Sequence, residues 1–236
     1  MLQEDSARRG SDQWIVNDVL AKGLTLGASV AGVVPVSLLL DCPSVRSAGP
    51  HGLGRTDGAV IVLGLYHDPK RPEMDWWEEG KSTPGDRALH AITTALSRCL
   101  RDEYGRDAHD IPYAVGDGGI YLKDAAVLAG LGIIGKNNLV LVPGYGPRIR
   151  FRALWADLAV EAVPVLNEWS PCAGCRRPCQ THCPQQAFPG GTFSRERCLL
   201  RMYADKTSVV PPGFETGGKS PIQHCRNCEL FCVYGG

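Results

Sequence analysis

Eight cysteines crowd into the last third of this 236-residue chain: Cys172, Cys175, Cys179, Cys183, Cys198, Cys225, Cys228 and Cys232. The spacing runs Cys-x2-Cys-x3-Cys-x3-Cys-Pro from Cys172 to Pro184, then a single Cys198, then Cys-x2-Cys-x3-Cys from Cys225 to Cys232. A Cys-x2-Cys pair turns the backbone so that two thiolates and several amide N–H groups face one metal centre. Eight thiolates are enough for two [4Fe–4S] clusters. Cys-only zinc sites also use paired Cys-x2-Cys, and disulfides are a third use open to so many cysteines. The opening stretch MLQEDSARRGSDQW carries acids and lacks an apolar run, so no export signal is expected and Arg8-Arg9 reads as solvated. The longest apolar run, Gly27 to Leu40, is too short for a bilayer and contains Pro35. A cytoplasmic, reducing location follows as an expectation, and there clustered cysteines argue for metal over disulfides.

Two-cluster bacterial ferredoxins use C-x2-C-x2-C-x3-C-P, and their fourth cysteine ligates the other cluster. Here the second gap is three residues, and the last cysteine precedes Val233 rather than proline. Applying the crossover rule gives one cluster Cys172, Cys175, Cys179 and Cys232, and the other Cys183, Cys198, Cys225 and Cys228. Charge fits this assignment. The whole chain balances 25 Lys+Arg against 25 Asp+Glu, yet residues 169–236 hold 8 against 4. An oxidised cubane with four thiolates carries about −2, so two would offset that local surplus. The overall balance makes a nucleic-acid partner unlikely.

Other residues invite chemistry less securely. Gly130-Leu-Gly132-Ile-Ile-Gly135 spells G-x-G-x-x-G, but it follows a helical stretch and precedes a strand-like one, the reverse of a dinucleotide site. A helix C-terminal turn that brings backbone close to a cofactor, or a plain tight connection, is the better reading. Cys99 reads as core and Cys42 as structural filler or a free thiol. Trp76-Trp77 reads as packing. Arg148, Arg150 and Arg152 alternate, so a solvated strand face is expected. His182 and His224 adjoin cluster cysteines and suit hydrogen bonding around a metal more than ligation.

The elements that must position these groups read as an α+β chain. A helix is expected over Gln13–Lys22 and a strand within Ala28–Val36. Ala59–Leu65, a continuous apolar run, reads as a buried central strand. Asp86–Tyr104 has Leu89, Ile92, Leu96 and Leu100 at helical spacing. Asp110–Val115 is expected as a short strand, Tyr121–Ala129 as a helix, and Leu139–Val142 and Phe151–Leu154 as strands around a Pro-Gly turn. Composition shifts near Asn167, which suggests domains at 1–168 and 169–236.

The segment DGGIYLKDAAVLAGLGIIGKNNLVLVPGYGPRIRF (Asp117–Phe151), followed by the double-cluster cysteines, resembles the epoxyqueuosine reductase-like proteins. These are cobalamin-dependent iron–sulfur reductases related to reductive dehalogenases. The resemblance implies a nitroreductase-like domain that holds cobalamin, followed by a ferredoxin-like domain that feeds it electrons. It implies corrinoid-facing roles for Gly132, Gly135, Lys136 and Asn137. It points to Asp117 as proton donor, with spacing one residue short of the family's, or to Tyr121 instead. The family's tRNA-binding extension is not matched in this sequence, so a small-molecule substrate is expected, with an external electron donor such as a flavodoxin or ferredoxin. The alternative is a corrinoid reductase or carrier, or a plain electron-transfer protein.

Overall fold

A computed structural model describes residues 12–207 and 221–235. Arg8-Arg9 lies outside these residues. Two compact units share the chain, and each is built from several segments. The first takes its described residues from 12–65, 89–132 and 151–167, and the second from 66–88, 133–150 and 168 onward. The last of these seams lies between Asn167 and Glu168, and the units interleave along the chain rather than follow one another. Composition could not reveal that 66–88 and 133–150 also pack with the cysteines, because these segments contain no cysteine of their own.

The first unit is a mixed α+β layer structure. Helix α1 (Gln13–Thr25) leads into strand β1 (Val30–Pro35), which pairs antiparallel with β2 (Ala59–Tyr66). Helix α2 (Pro84–Tyr104) follows, then β3 (Ala108–Asp110), helix α3 (Leu122–Leu128) and β4 (Ile149–Ala156). The sheet order is β1-β2-β4-β3, so the apolar run of β2 is central, as its composition predicts. The expected strand at Asp110–Val115 begins and ends earlier. Ala108, His109 and Asp110 pair with Ala156, Trp155 and Leu154, and Pro112 cannot extend a ladder.

Helical spacing decides which side chains meet the sheet. Ile15, Val16 and Val19 of α1, and Leu89, Ile92, Leu96 and Leu100 of α2, pack on Val33, Ile61, Leu63 and Leu154. Gly23 allows the closest approach: a Cβ there would lie 3.1 Å from Leu63 and 3.3 Å from Leu96. On the opposite face of β1, a Cβ at Gly32 would meet the Ala129 carbonyl oxygen at 2.8 Å, just beyond α3. Helices therefore cover both faces of the sheet.

The second unit has far less apolar material. Its buried apolar side chains include Trp76, Val140, Leu141, Val142, Ile149, Cys179 and Ala187. Trp76–Trp77 is a two-residue strand paired with Ile222–Gln223, so the tryptophans pack in a ladder rather than a free loop. Ile133–Ile134 and Val140–Leu141 form a hairpin. A single helical turn spans Pro178–Thr181. Helix α4 (Arg195–Asp205) starts at Ser194, whose hydroxyl accepts the Arg197 N–H, and α5 is the short Asn227–Leu230. So small a core needs hydrogen bonds, ion pairs or metal to hold it. No described helix is long and apolar enough to cross a membrane.

Candidate metal centre

No disulfide joins any of the ten cysteines. The clustered thiols fall into two neighbourhoods. Burial, then the charges of Cys232, Cys175 and Cys172, push the Cys179 thiol up to about 11. Burial likewise pushes Cys228 up to about 12, with Cys225, Cys198, Glu229 and Cys183 adding to it. Cys232 is also raised by burial, with Cys172 and Cys175 as its thiol neighbours. Burial sets the upward direction in both groups, and repulsion between neighbouring thiolates adds to it. Among the described residues, no three Cys, His, Asp or Glu side chains converge tightly enough for a single metal ion. A lone zinc draws each sulfur to about 2.3 Å. A cubane presents its irons at separate corners and holds its thiolates further apart.

Backbone N–H groups already point at several sulfurs. Lys136 N lies 3.5 Å from Cys172 Sγ, Arg177 N 3.3 Å from Cys175 Sγ, and Ala187 N 3.3 Å from Cys183 Sγ. Arg177 sits in the left-handed region, φ 57°, which turns its N–H toward Cys175. Such donors stabilise thiolate charge and tune a cluster's potential.

Three side chains fix the Cys225–Cys228 loop. Asp205, 1% exposed, accepts the Cys225 N–H at 2.7 Å and pairs with Arg201 Nε at the same distance. Asn227 Nδ2 donates to the His182 carbonyl at 3.1 Å. Asn137 Nδ2 donates to the Cys228 carbonyl at 3.1 Å, while its Oδ1 accepts the Leu139 N–H at 3.2 Å. Asn137 was expected to face a corrinoid, but its amide ties the hairpin loop to the cysteine loop. Gly135, expected there too, is demanded by packing: a Cβ would lie 2.8 Å from Asn137 Oδ1 and from Leu141. The Lys136 carbonyl accepts Gln180 Nε2 at 2.8 Å, and its side chain is exposed. His182 stacks on Phe231 at 3.9 Å, with Nδ1 2.9 Å from the Pro178 carbonyl, which suits a supporting role.

An ion network lies beside the same loop. Arg150 meets Asp75 at 2.9 Å and Glu229 at 2.5 Å. Arg226 meets Asp75 at 2.5 Å and also bonds Glu229. His67 Nδ1 lies 2.9 Å from Asp75 Oδ1, without the alignment of a hydrogen bond. Burial alone would raise the Asp75 pKa; the His67 contact, Arg150 and Arg226 outweigh it and hold the carboxyl below its usual range. The solvated face expected for Arg148, Arg150 and Arg152 is therefore corrected. Arg150 is held by acids far away in sequence, Arg152 lies 3.4 Å from His90 Nδ1, and Arg148 is buried. Alternation set their direction, but only tertiary partners decide whether water or an acid meets them.

Arg148 differs from its neighbours. It is 8% exposed, and its Nε is buried without a hydrogen-bond partner. Its charge acts on Cys232, whose thiol it pulls downward against burial. A buried guanidinium acting on Cys232 fits an anionic centre better than a neutral thiol.

The remaining candidates lie in the first unit. Asp117 ends a 3-10 turn, Val115–Asp117, and is exposed. The Tyr121 hydroxyl donates to the Gly49 carbonyl at 2.9 Å. Gly132 is buried between α3 and the hairpin. The glycine-rich run thus follows a helix and enters a hairpin, not the strand-to-helix turn of a dinucleotide site.

Comparison with known proteins was made against this geometry. No family model matches the sequence. An epoxyqueuosine reductase of Lactococcus garvieae is 27% identical over 184 residues, covering 74% of this chain and 51% of the relative. The chain is homologous to the epoxyqueuosine reductases. It spans about half the length of that curated relative. An epoxyqueuosine reductase solved with an epoxyqueuosine-modified tRNA-Tyr stem loop superposes with a TM-score of 0.65 at 16% identity, covering 94% of this chain and 66% of that one. A reductive dehalogenase whose structure suggests a mechanism for B12-dependent dehalogenation gives 0.61 at 18% identity, covering 91% and 30%. At these identities the solved structures establish a shared mixed α+β fold.

Proposed function

We propose that this chain is an oxidoreductase whose eight clustered cysteines hold two [4Fe–4S] clusters, and that it works with cobalamin to reduce a small-molecule substrate. The observation that carries this reading is the division of the thiols into Cys172, Cys175, Cys179 and Cys232 on one side and Cys183, Cys198, Cys225 and Cys228 on the other. The thiol neighbours of Cys179 and of Cys228 support the grouping that the spacing rule proposes. Homology to a reductase family supports the reaction class.

The clusters would supply one-electron transfer, and cobalamin a strongly reducing, nucleophilic metal. The chain's own residues do the rest. Asp205, Asn137 and Asn227 hold the Cys225–Cys228 loop; backbone N–H groups of Lys136, Arg177 and Ala187 steady sulfur charge. Asp117 is proposed as the proton donor, since its carboxyl is exposed, whereas the Tyr121 hydroxyl is engaged with Gly49. Cobalamin enters through the relatives. Of the loop residues named for it, Gly135 and Asn137 are engaged within the protein, so they do not fit as a corrin cradle and no step is derived through the group. The same engagement favours the second reading, an electron-transfer protein or corrinoid reductase that takes electrons from a flavodoxin or ferredoxin.

Anaerobic purification, incubation with hydroxocobalamin, desalting and metal counting test both readings. About eight irons and one cobalt per chain support the reductase, and about eight irons without cobalt support the second reading. Zinc in place of iron, even after cluster reconstitution, overturns both.

A further inference from the structure

Arg148 and Arg226, each under 10% exposed, and Arg150, 29% exposed, lie in the unit that carries the cysteines. Arg150 and Arg226 share the carboxylates of Asp75 and Glu229. Arg148 has no such partner: among the described residues no carboxylate pairs with it, and its Nε is buried and unbonded. Arginine cannot shed its proton to escape burial. Taking such a charge out of water is unfavourable unless an opposite charge lies near it.

Geometry says where that charge arrives. The turn before Arg148 is clamped to the chain just after Cys232. A Cβ at Gly146, φ 58°, would lie 2.0 Å from the Tyr234 carbonyl oxygen, and one at Gly235, φ 82°, 2.2 Å from that of Tyr145. From the other side, the Arg148 carbonyl accepts the His67 N–H at 2.8 Å. The Arg148 backbone is thereby held beside the chain that follows Cys232, and its charge acts on the Cys232 thiol, one of the four in that neighbourhood. Beside Cys225 and Cys228, the two arginines of the ion network are matched by Asp75 and Glu229, and Arg197, next to Cys198, is exposed and donates to the Gln186 carbonyl.

We propose that Arg148 is the internal counter-ion of the cluster held by Cys172, Cys175, Cys179 and Cys232, and that its charge makes this cluster the more easily reduced of the two. This rests on the two-cluster reading. Reduction adds one negative charge, and a fixed cation nearby in a low dielectric favours the more negative state. The unmatched arginine beside one cluster and the neutral network beside the other set a direction. Electrons entering at the second cluster settle on the first.

The test uses the full chain, purified without oxygen and reconstituted with iron and sulfide, as wild type, Arg148→Gln and Arg148→Lys. Iron is counted, and each protein is titrated redox-wise with detection of reduced clusters by electron paramagnetic resonance. About eight irons in the wild type are the precondition; their absence would sink the two-cluster reading and the inference together. Given them, Arg148→Gln should lower the higher of the two waves. The reduced-to-oxidised ratio at fixed potential should fall about tenfold, equal to about 59 mV for one electron, with the lower wave unmoved and Arg148→Lys close to wild type. If Arg148→Gln keeps both clusters with both waves in place, or moves the lower wave alone, the inference is wrong. Should Arg148→Gln hold only about four irons, full loading of Arg148→Lys would still support a counter-ion. Equal loss in both variants would show that shape rather than charge matters, and would overturn it.

Discussion

Replacing Glu229 by Gln should cost this protein more than any other single change in the ion network. The Glu229 side chain is 3% exposed and accepts from both Arg150 and Arg226. Those two guanidiniums also share Asp75, so two cations and two anions alternate around a nearly dry cluster of charges. Gln removes one charge and leaves the shape. Two arginines then face a single carboxylate, and neither can deprotonate. Breaking a buried pair by removing one partner costs about 3–5 kcal/mol. For a chain of this size each kcal/mol moves the melting temperature by about 2–4 °C, so a fall on the order of 10 °C is expected. The assay is circular dichroism on the anaerobically purified protein at one scan rate. Iron content should fall too, because Glu229 follows Cys228 directly. The double variant Arg150→Met/Glu229→Met removes a cation with the anion and should recover much of the loss. A fall of under about 2 °C in Glu229→Gln would mean that water reaches the network, and the reasoning from burial would be refuted.

Acid should act on the same network through Asp75. Its folded pKa is depressed, so its contribution is full above the unfolded carboxyl value near 4 and is lost as pH falls through the lower folded value. Asp75→Asn should flatten the drop in melting temperature below about pH 4, and an unchanged drop would exclude Asp75 as its source. Asn137→Ala leaves the Cys228 carbonyl and the Leu139 N–H without their partners, so a loss of about 1–3 kcal/mol is expected in thermal unfolding, with some loss of iron. Gly146→Ala meets both a left-handed backbone and the Tyr234 carbonyl, and should lower cluster occupancy measured by iron content; occupancy equal to wild type would show that the turn gives way. Asp117→Asn should abolish substrate reduction yet leave chemical reduction of the clusters intact; unchanged turnover would remove Asp117 from the proton-donor role.

What the sequence discloses depends on how local each feature is. Cysteine spacing is local: the separation between ligands carries the geometry, so both groups of four could be proposed from spacing alone. The central strand Ala59–Tyr66 and helix Pro84–Tyr104 were similarly legible, because a continuous apolar run and a 3.6-residue stripe each report burial directly. Arg150 is different. Its partners lie 75 residues before it and 79 after, and no periodicity links three such positions. Asn137 shows the same limit from the other side. A motif placed it beside a cofactor loop, but its amide reaches Cys228, 91 residues on, and only the folded chain reveals that its bonds are taken.

Arg148 carries this reasoning furthest. In the sequence it is one of three alternating arginines, and alternation on a strand ordinarily means a wet face. In the fold its Nε is buried without a partner, in a unit where Arg150 and Arg226 are matched by Asp75 and Glu229. An unmatched charge in so small a core is either a defect or half of an interaction whose other half is missing. On the proposed reading, one group would meet both the eight clustered thiols and the arginine: an iron–sulfur cluster whose thiolates leave it net negative. The cysteines alone would also admit a site of neutral or weakly charged character. The arginine beside Cys232 argues that the centre is an anion, and that its two redox states differ in how strongly this protein holds them.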